Sequence, residues 1–180
     1  EQELRNMMYS ASKYEHASWA IRYPRGAATG MAVDKAFQWV EPGTGVCLRE
    51  EGEVAVLTLG PVAAYAAEAI ERAEAEGLQV AHYDMRFAKP LDTRLLDTIV
   101  ERHRAILTVE DGTSLGGFGS AVSEHLAPLS VKPEHQILGM PDRIVEHGTQ
   151  RELHDEVGIG PDGILDRIRE LAARAVSTVS

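Results

Sequence analysis

Glu53-Val54-Ala55-Val56-Leu57-Thr58-Leu59-Gly60-Pro61 is the stretch that decides the fold. Thr58 alone interrupts the apolar run from Val54 to Leu59, and Gly60-Pro61 ends it. A strand with one wet face alternates polar and apolar residues. A run this short and this continuous predicts a strand buried on both faces, as in a parallel sheet with helices above and below.

The sequence downstream carries the same pattern forward. An Ala-rich helix is predicted over Val62–Glu76, stopped by Gly77, and a second strand over Leu78–Asp84. Asp92 is placed to cap a helix reaching His103, Ala105–Val109 reads as a third strand, and a glycine-rich loop leads into a helix from Gly119 to Leu126. Gln136–Met140 reads as a fourth strand. Thr149 with Glu152 makes a capping box for a short helix, and Ile164, Leu165, Ile168 and Leu171 stripe a terminal helix over Asp162–Val176. Strand and helix alternate, so the expected architecture is a three-layer α/β/α domain over residues 53–180 with a mostly parallel sheet.

Upstream the pattern changes. Leu4, Met7, Met8 and Ala11 recur at helical spacing within residues 2–15, and Ser18–Tyr23 reads as a strand stopped by Pro24, with a loop at Gly26 and Gly30. Residues 31–52, with Pro42, Gly43, Gly45 and Gly52, read as a crossing linker that holds one short strand or hairpin. Residues 1–30 hold too few elements for a core of their own, and we read them as the end of a domain that begins earlier in a longer protein.

Composition narrows the functional classes. Twenty-eight acidic against 18 basic side chains leave a net charge of −10, and no Lys/Arg run offsets it, so neither nucleic acid nor an anionic membrane is expected as a partner. Cys47 is the sole cysteine, which excludes an intrachain disulfide framework and suggests a reducing, cytoplasmic setting. No apolar run approaches membrane-spanning length.

Arg25 is the candidate site residue. It follows a predicted strand end, where open α/β sheets place ligands, and a guanidinium there can grip a phosphate through two parallel charge-assisted bonds. An ion pair across a domain boundary is the competing role. Gly116-Gly117-Phe118-Gly119-Ser120 resembles a dinucleotide loop but carries Val122 where a small third residue is needed, so the glycines are assigned to tight packing. Asp84, Arg86, Lys89 and Asp92 are assigned to ion pairing and helix capping, Arg22 to structure, and Cys47 to packing. The seven histidines lack metal-ligand spacing, so no metal and no catalytic residue is assigned.

Four segments carry a family resemblance: Ala20–Gly26, Asp84–Asp92, Val109–Gly112 with Gly116–Ser120, and Gly139–Asp142 with His147–Gln150. Together they resemble the C-terminal portion of 1-deoxy-D-xylulose-5-phosphate synthases, thiamine-diphosphate enzymes of the transketolase superfamily. The resemblance implies that residues 1–30 end a pyrimidine-binding domain and that Arg25 binds the phosphate of glyceraldehyde 3-phosphate. It implies an intact homodimeric enzyme that takes pyruvate as donor and uses thiamine diphosphate and Mg2+. In that family a Gly-Asp-Gly segment and a later Asn hold the metal. Here Asn6 is the single Asn and precedes both Glu110-Asp111-Gly112 and Pro161-Asp162-Gly163, so neither cofactor nor metal is expected on this chain, which should be inactive without the part that precedes it. A separate assembly subunit of a split transketolase and the end of a 2-oxoacid dehydrogenase beta subunit are the alternatives.

Overall fold

The computed structural model describes residues 1–24, 30, 32–34 and 36–177. After the N-terminal helix α1 (Gln2–Lys13) and an irregular stretch come β1 (Val46–Arg49), β2 (Val54–Leu59), α2 (Ala63–Ala75), β3 (Val80–Asp84), α3 (Thr93–Arg102), β4 (Ala105–Thr113), α4 (Phe118–Leu126), β5 (Glu134–Met140), α5 (Gln150–Glu156) and α6 (Pro161–Ser177). The sheet order is β1-β3-β2-β4-β5. Every pairing is parallel except that of β1, which runs antiparallel along β3.

The continuous apolar run is β2, the central strand of the sheet: it lies between β3 and β4, and five of its six residues are buried. Its side chains alternate between two cores. Val54 and Val56 pack with α2 and α6, through Ala66, Ile70, Leu165 and Ile168, on one face. Ala55 and Leu57 pack with α3 and α4, through Leu96, Ile99, Phe118 and Val122, on the other. The expected α/β/α layering follows from this two-sided burial. Asp92 caps α3 by accepting from the Leu95 N–H at 3.0 Å, and Thr149 and Glu152 complete the predicted capping box on α5.

Two expectations change. Ser18–Tyr23 forms no strand, although its residues favour one. An extended segment gains stability only from a ladder partner, and the sheet is built wholly from residues 46–140. β4 also runs on past Val109 to Thr113, with a register irregularity against β5 that admits Asp111 and Gly112.

α1 buries the side opposite to the one its apolar residues suggest. Asn6 and Ser10 are its buried residues, while Met8 is 59% exposed. Asn6 Oδ1 accepts from the Gln38 N–H at 3.1 Å and Ser10 Oγ from the Val40 N–H at 2.8 Å, so the linker lies along the polar face of the helix. Tyr9 stacks on Phe37 with ring centroids 5.2 Å apart.

Candidate functional site at the carboxyl edge of the sheet

Parallel strands deliver their chain ends to one edge, and in open α/β sheets that edge is where ligands bind. Two exits meet the N-terminal segment there. At the end of β3, Arg86 adopts φ 56°, a left-handed turn held by a 3.0 Å bond from its N–H to Asp84 Oδ1. Its guanidinium bonds Glu3 of α1 at 2.5 Å. Burial, reinforced by the neighbouring Glu3 carboxylate, pushes the Asp84 carboxyl up to about 6. Phe87 next to it takes the edge of Trp19 at 5.6 Å.

At the end of β4, Glu110 and Asp111 have separate tasks. Glu110 is buried and accepts from the Gly119 N–H at 2.9 Å, so a carboxylate of the protein itself occupies the start of α4. That settles the glycine-rich loop as packing. A Cβ on Gly117 would lie 2.6 Å from the Glu110 carboxylate, and one on Gly119 would lie 2.6 Å from Ile137. Asp111, with its side chain 9% exposed, receives Arg22 twice: Nη1 donates to Oδ1 at 2.5 Å and Nη2 to the Asp111 carbonyl at 3.2 Å. Close to this pair in charge, His154 is buried with Nδ1 unpartnered, and burial lowers its pKa.

Arg25 lies outside the described residues. In the mixed-charge exit Arg86 forms its ion pair with Glu3, Asp84 accepts from the Arg86 backbone N–H, and Asp92 both caps α3 and accepts from the Gly45 N–H at 2.8 Å. Cys47 packs at the margin of the α3/α4 core. The Glu110 contact at α4 and the Arg22–Asp111 pair were not foreseen in their particulars. Arg22 and Asp111 stand 89 residues apart, and no spacing rule links them.

Residues 43–164 match the family profile of the transketolase C-terminal domain, and the chain belongs to that family. Within it, the chain is similar to 1-deoxy-D-xylulose-5-phosphate synthases. It is 42% identical to that of Bacteroides fragilis over 165 residues, covering 91% of this chain and 26% of that enzyme. Against that of Cytophaga hutchinsonii it is 42% identical, covering 96% of this chain and 27% of the relative, and against that of Vibrio vulnificus 38%, covering 97% and 27%. The chain thus spans about a quarter of the length of these relatives. Among solved structures, a split gene transketolase described as an inactive beta4 tetramer superposes with TM-score 0.66 at 27% identity, covering 84% of this chain and 46% of that one. A transketolase R525L mutant from Pichia stipitis, at 16% identity, TM-score 0.54 and coverage of 73% and 18%, shares the fold.

A metal-held diphosphate does not fit the residues at this edge. Glu110 is bound to α4, Asp111 to Arg22, and Asn6 Oδ1 to Gln38 and Gln2. Among the described residues no three His, Cys, Asp or Glu side chains group as metal ligands. Nor, among these residues, is any helix long and apolar enough to cross a membrane.

Proposed function

We propose that the chain is the C-terminal portion of a 1-deoxy-D-xylulose-5-phosphate synthase. The intact, cytoplasmic, homodimeric enzyme condenses pyruvate with D-glyceraldehyde 3-phosphate with loss of CO2, using thiamine diphosphate and Mg2+. The observation that carries this reading is 42% identity to such synthases across nearly the whole chain, N-terminal segment included. In the intact enzyme the cofactor supplies the carbanion chemistry. The residues that hold it belong to the part that precedes Glu1, and this portion alone is inactive. Residues 1–30 end the pyrimidine-binding domain, residues 31–52 link it and lend β1 to the sheet, and residues 53–180 are the C-terminal domain.

The residue of this portion that meets substrate is Arg25, as the clamp on the acceptor phosphate. Each charge-assisted bond to that phosphate contributes about 1.5–3 kcal/mol. Arg25→Ala in the full-length enzyme should therefore raise KM for glyceraldehyde 3-phosphate about tenfold or more. KM for pyruvate should hold, and glyceraldehyde without phosphate should be used almost equally by mutant and wild type. A parallel loss for phosphorylated and unphosphorylated acceptors would instead assign Arg25 to bracing the domain boundary.

A separate assembly subunit is the second reading, favoured by the similarity to the split gene transketolase chain. The higher identity to the synthases weighs against it.

A further inference from the structure

The two edges of the sheet differ. β1 closes one of them with four residues and a register irregularity between Cys47 and Arg49, a short, uneven edge of the kind that resists further pairing. β5 closes the other with seven residues, none of them proline, lysine or arginine, and all seven are partly exposed. A long unpaired edge of this kind is a template for a further strand.

The backbone of β5 is only half used. The Glu134 N–H donates to the Arg104 carbonyl at 2.9 Å, and the Ser114 N–H donates to the Met140 carbonyl at 2.9 Å, so the even-numbered positions face β4. The alternation of a strand turns the N–H and C=O of His135, Ile137 and Gly139 the other way, and among the described residues no strand lies beyond β5 to receive them.

The residues that flank the strand indicate its partner. Among the described residues Val131 and Ile144 are the most exposed large apolar side chains, at 88% and 93%, and they stand just before and just after β5. Lys132 and Asp142 flank it too, both exposed, and neither makes an ion pair with another described residue. A second β5 laid antiparallel in full overlap sets Ile137 opposite Ile137 and His135 opposite Gly139, so outward positions meet outward positions and can exchange their bonds. The same register carries Val131 of each copy toward Ile144 of the other, and Lys132 toward Asp142. A parallel copy would instead set Lys132 beside Lys132 and Asp142 beside Asp142.

We propose that β5 is an interface between two copies of this chain, paired antiparallel about Ile137 so that their five-stranded sheets join into one. Each copy supplies the same surface, so every end contact occurs twice. The interface needs neither cofactor nor substrate and stands apart from the reading of Arg25.

Amide hydrogen exchange, followed in the full-length protein by mass spectrometry resolved to single residues, tests it. Ile137 and Gly139 should exchange slowly in the wild type. Lys132→Glu and Asp142→Lys each replace two unlike contacts by two like ones and should speed exchange at both residues about three- to tenfold. The double Lys132→Glu/Asp142→Lys restores unlike pairs and should recover most of the protection, while Val131→Asp should lift it as the single reversals do. β2 and β4 should exchange as in the wild type throughout, which separates loss of the interface from loss of the fold. Fast exchange at Ile137 and Gly139 in the wild type at its highest soluble concentration means an open edge and overturns the proposal. Slow exchange that none of the variants changes means that the upstream part of the same protein covers the edge, and it overturns the proposal as well. A double variant no better than the singles overturns the antiparallel register, and with it the pairing of copies.

Discussion

The α/β/α body and the first 40 residues hold themselves together by opposite means. In the body, apolar side chains are buried on two faces of a hydrogen-bonded sheet, with Leu57, Ile106 and Leu107 fully inside. In the N-terminal region the buried side chains of α1 are Asn6 and Ser10, while Met8, Tyr23, Phe37 and Trp39 are exposed. The difference teaches what a sheet supplies. Without a ladder, the N–H groups of Asp34, Gln38 and Val40 are met by side chains of α1, and Met8, Phe37 and Trp39 remain outside.

The sharpest way to break this comparison is to remove equal apolar mass from each region. Leu107→Ala opens a cavity in a core that cannot collapse and should lower unfolding free energy by about 2–5 kcal/mol. Met8→Ala should change it by no more than about 0.5 kcal/mol. Urea denaturation measures both, and equal losses would mean that the N-terminal region shares the core.

Acid separates the regions next. Burial holds His82 and His135 down at about 4 in the folded state, with Arg49 adding to the effect at His82. The unfolded chain binds these protons near 6.5, so the stability they contribute is complete above 6.5 and is lost as pH falls toward 4. Each should account for a loss on the order of 3 kcal/mol. Asp84, at the seam with α1, acts in the other direction. Raised from 3.8 to about 6, it favours the folded state at low pH and gives up that contribution as pH rises through 6. Denaturation midpoints from pH 4 to 7 should therefore fall on acidification, and more steeply in Asp84→Asn. An equal slope in that variant would remove Asp84 from the account.

The most local effect belongs to Ser10. Ser10→Ala leaves the Val40 N–H without its acceptor, at a cost of about 1–2 kcal/mol. Hydrogen exchange should show faster exchange at Val40 and no change in β2 or β4. A global loss of protection would make the linker an integral part of the body.

Much of this was legible beforehand. The helices and strands of the body announced themselves through periodicity, through Asp92, through the Thr149 and Glu152 box and through the unbroken β2 run. Ser18–Tyr23 misled because strand propensity describes how residues suit a pleated surface and says nothing of whether a neighbour is there to complete it. α1 misled in a related way: its apolar spacing marks a face able to pack, and the linker packed on the polar face, where side chains could meet its backbone.

By itself the sequence determined the layered α/β/α class, because burial on two faces is written into adjacent positions, and it favoured packing for the glycine loop. Only the tertiary structure decided that Glu110 fills the start of α4, that Asp84 sits against Glu3, and that Arg22 closes on Asp111. Those contacts join residues far apart in the chain, and their strength depends on how much water the fold excludes around each charge, a quantity that no local pattern encodes.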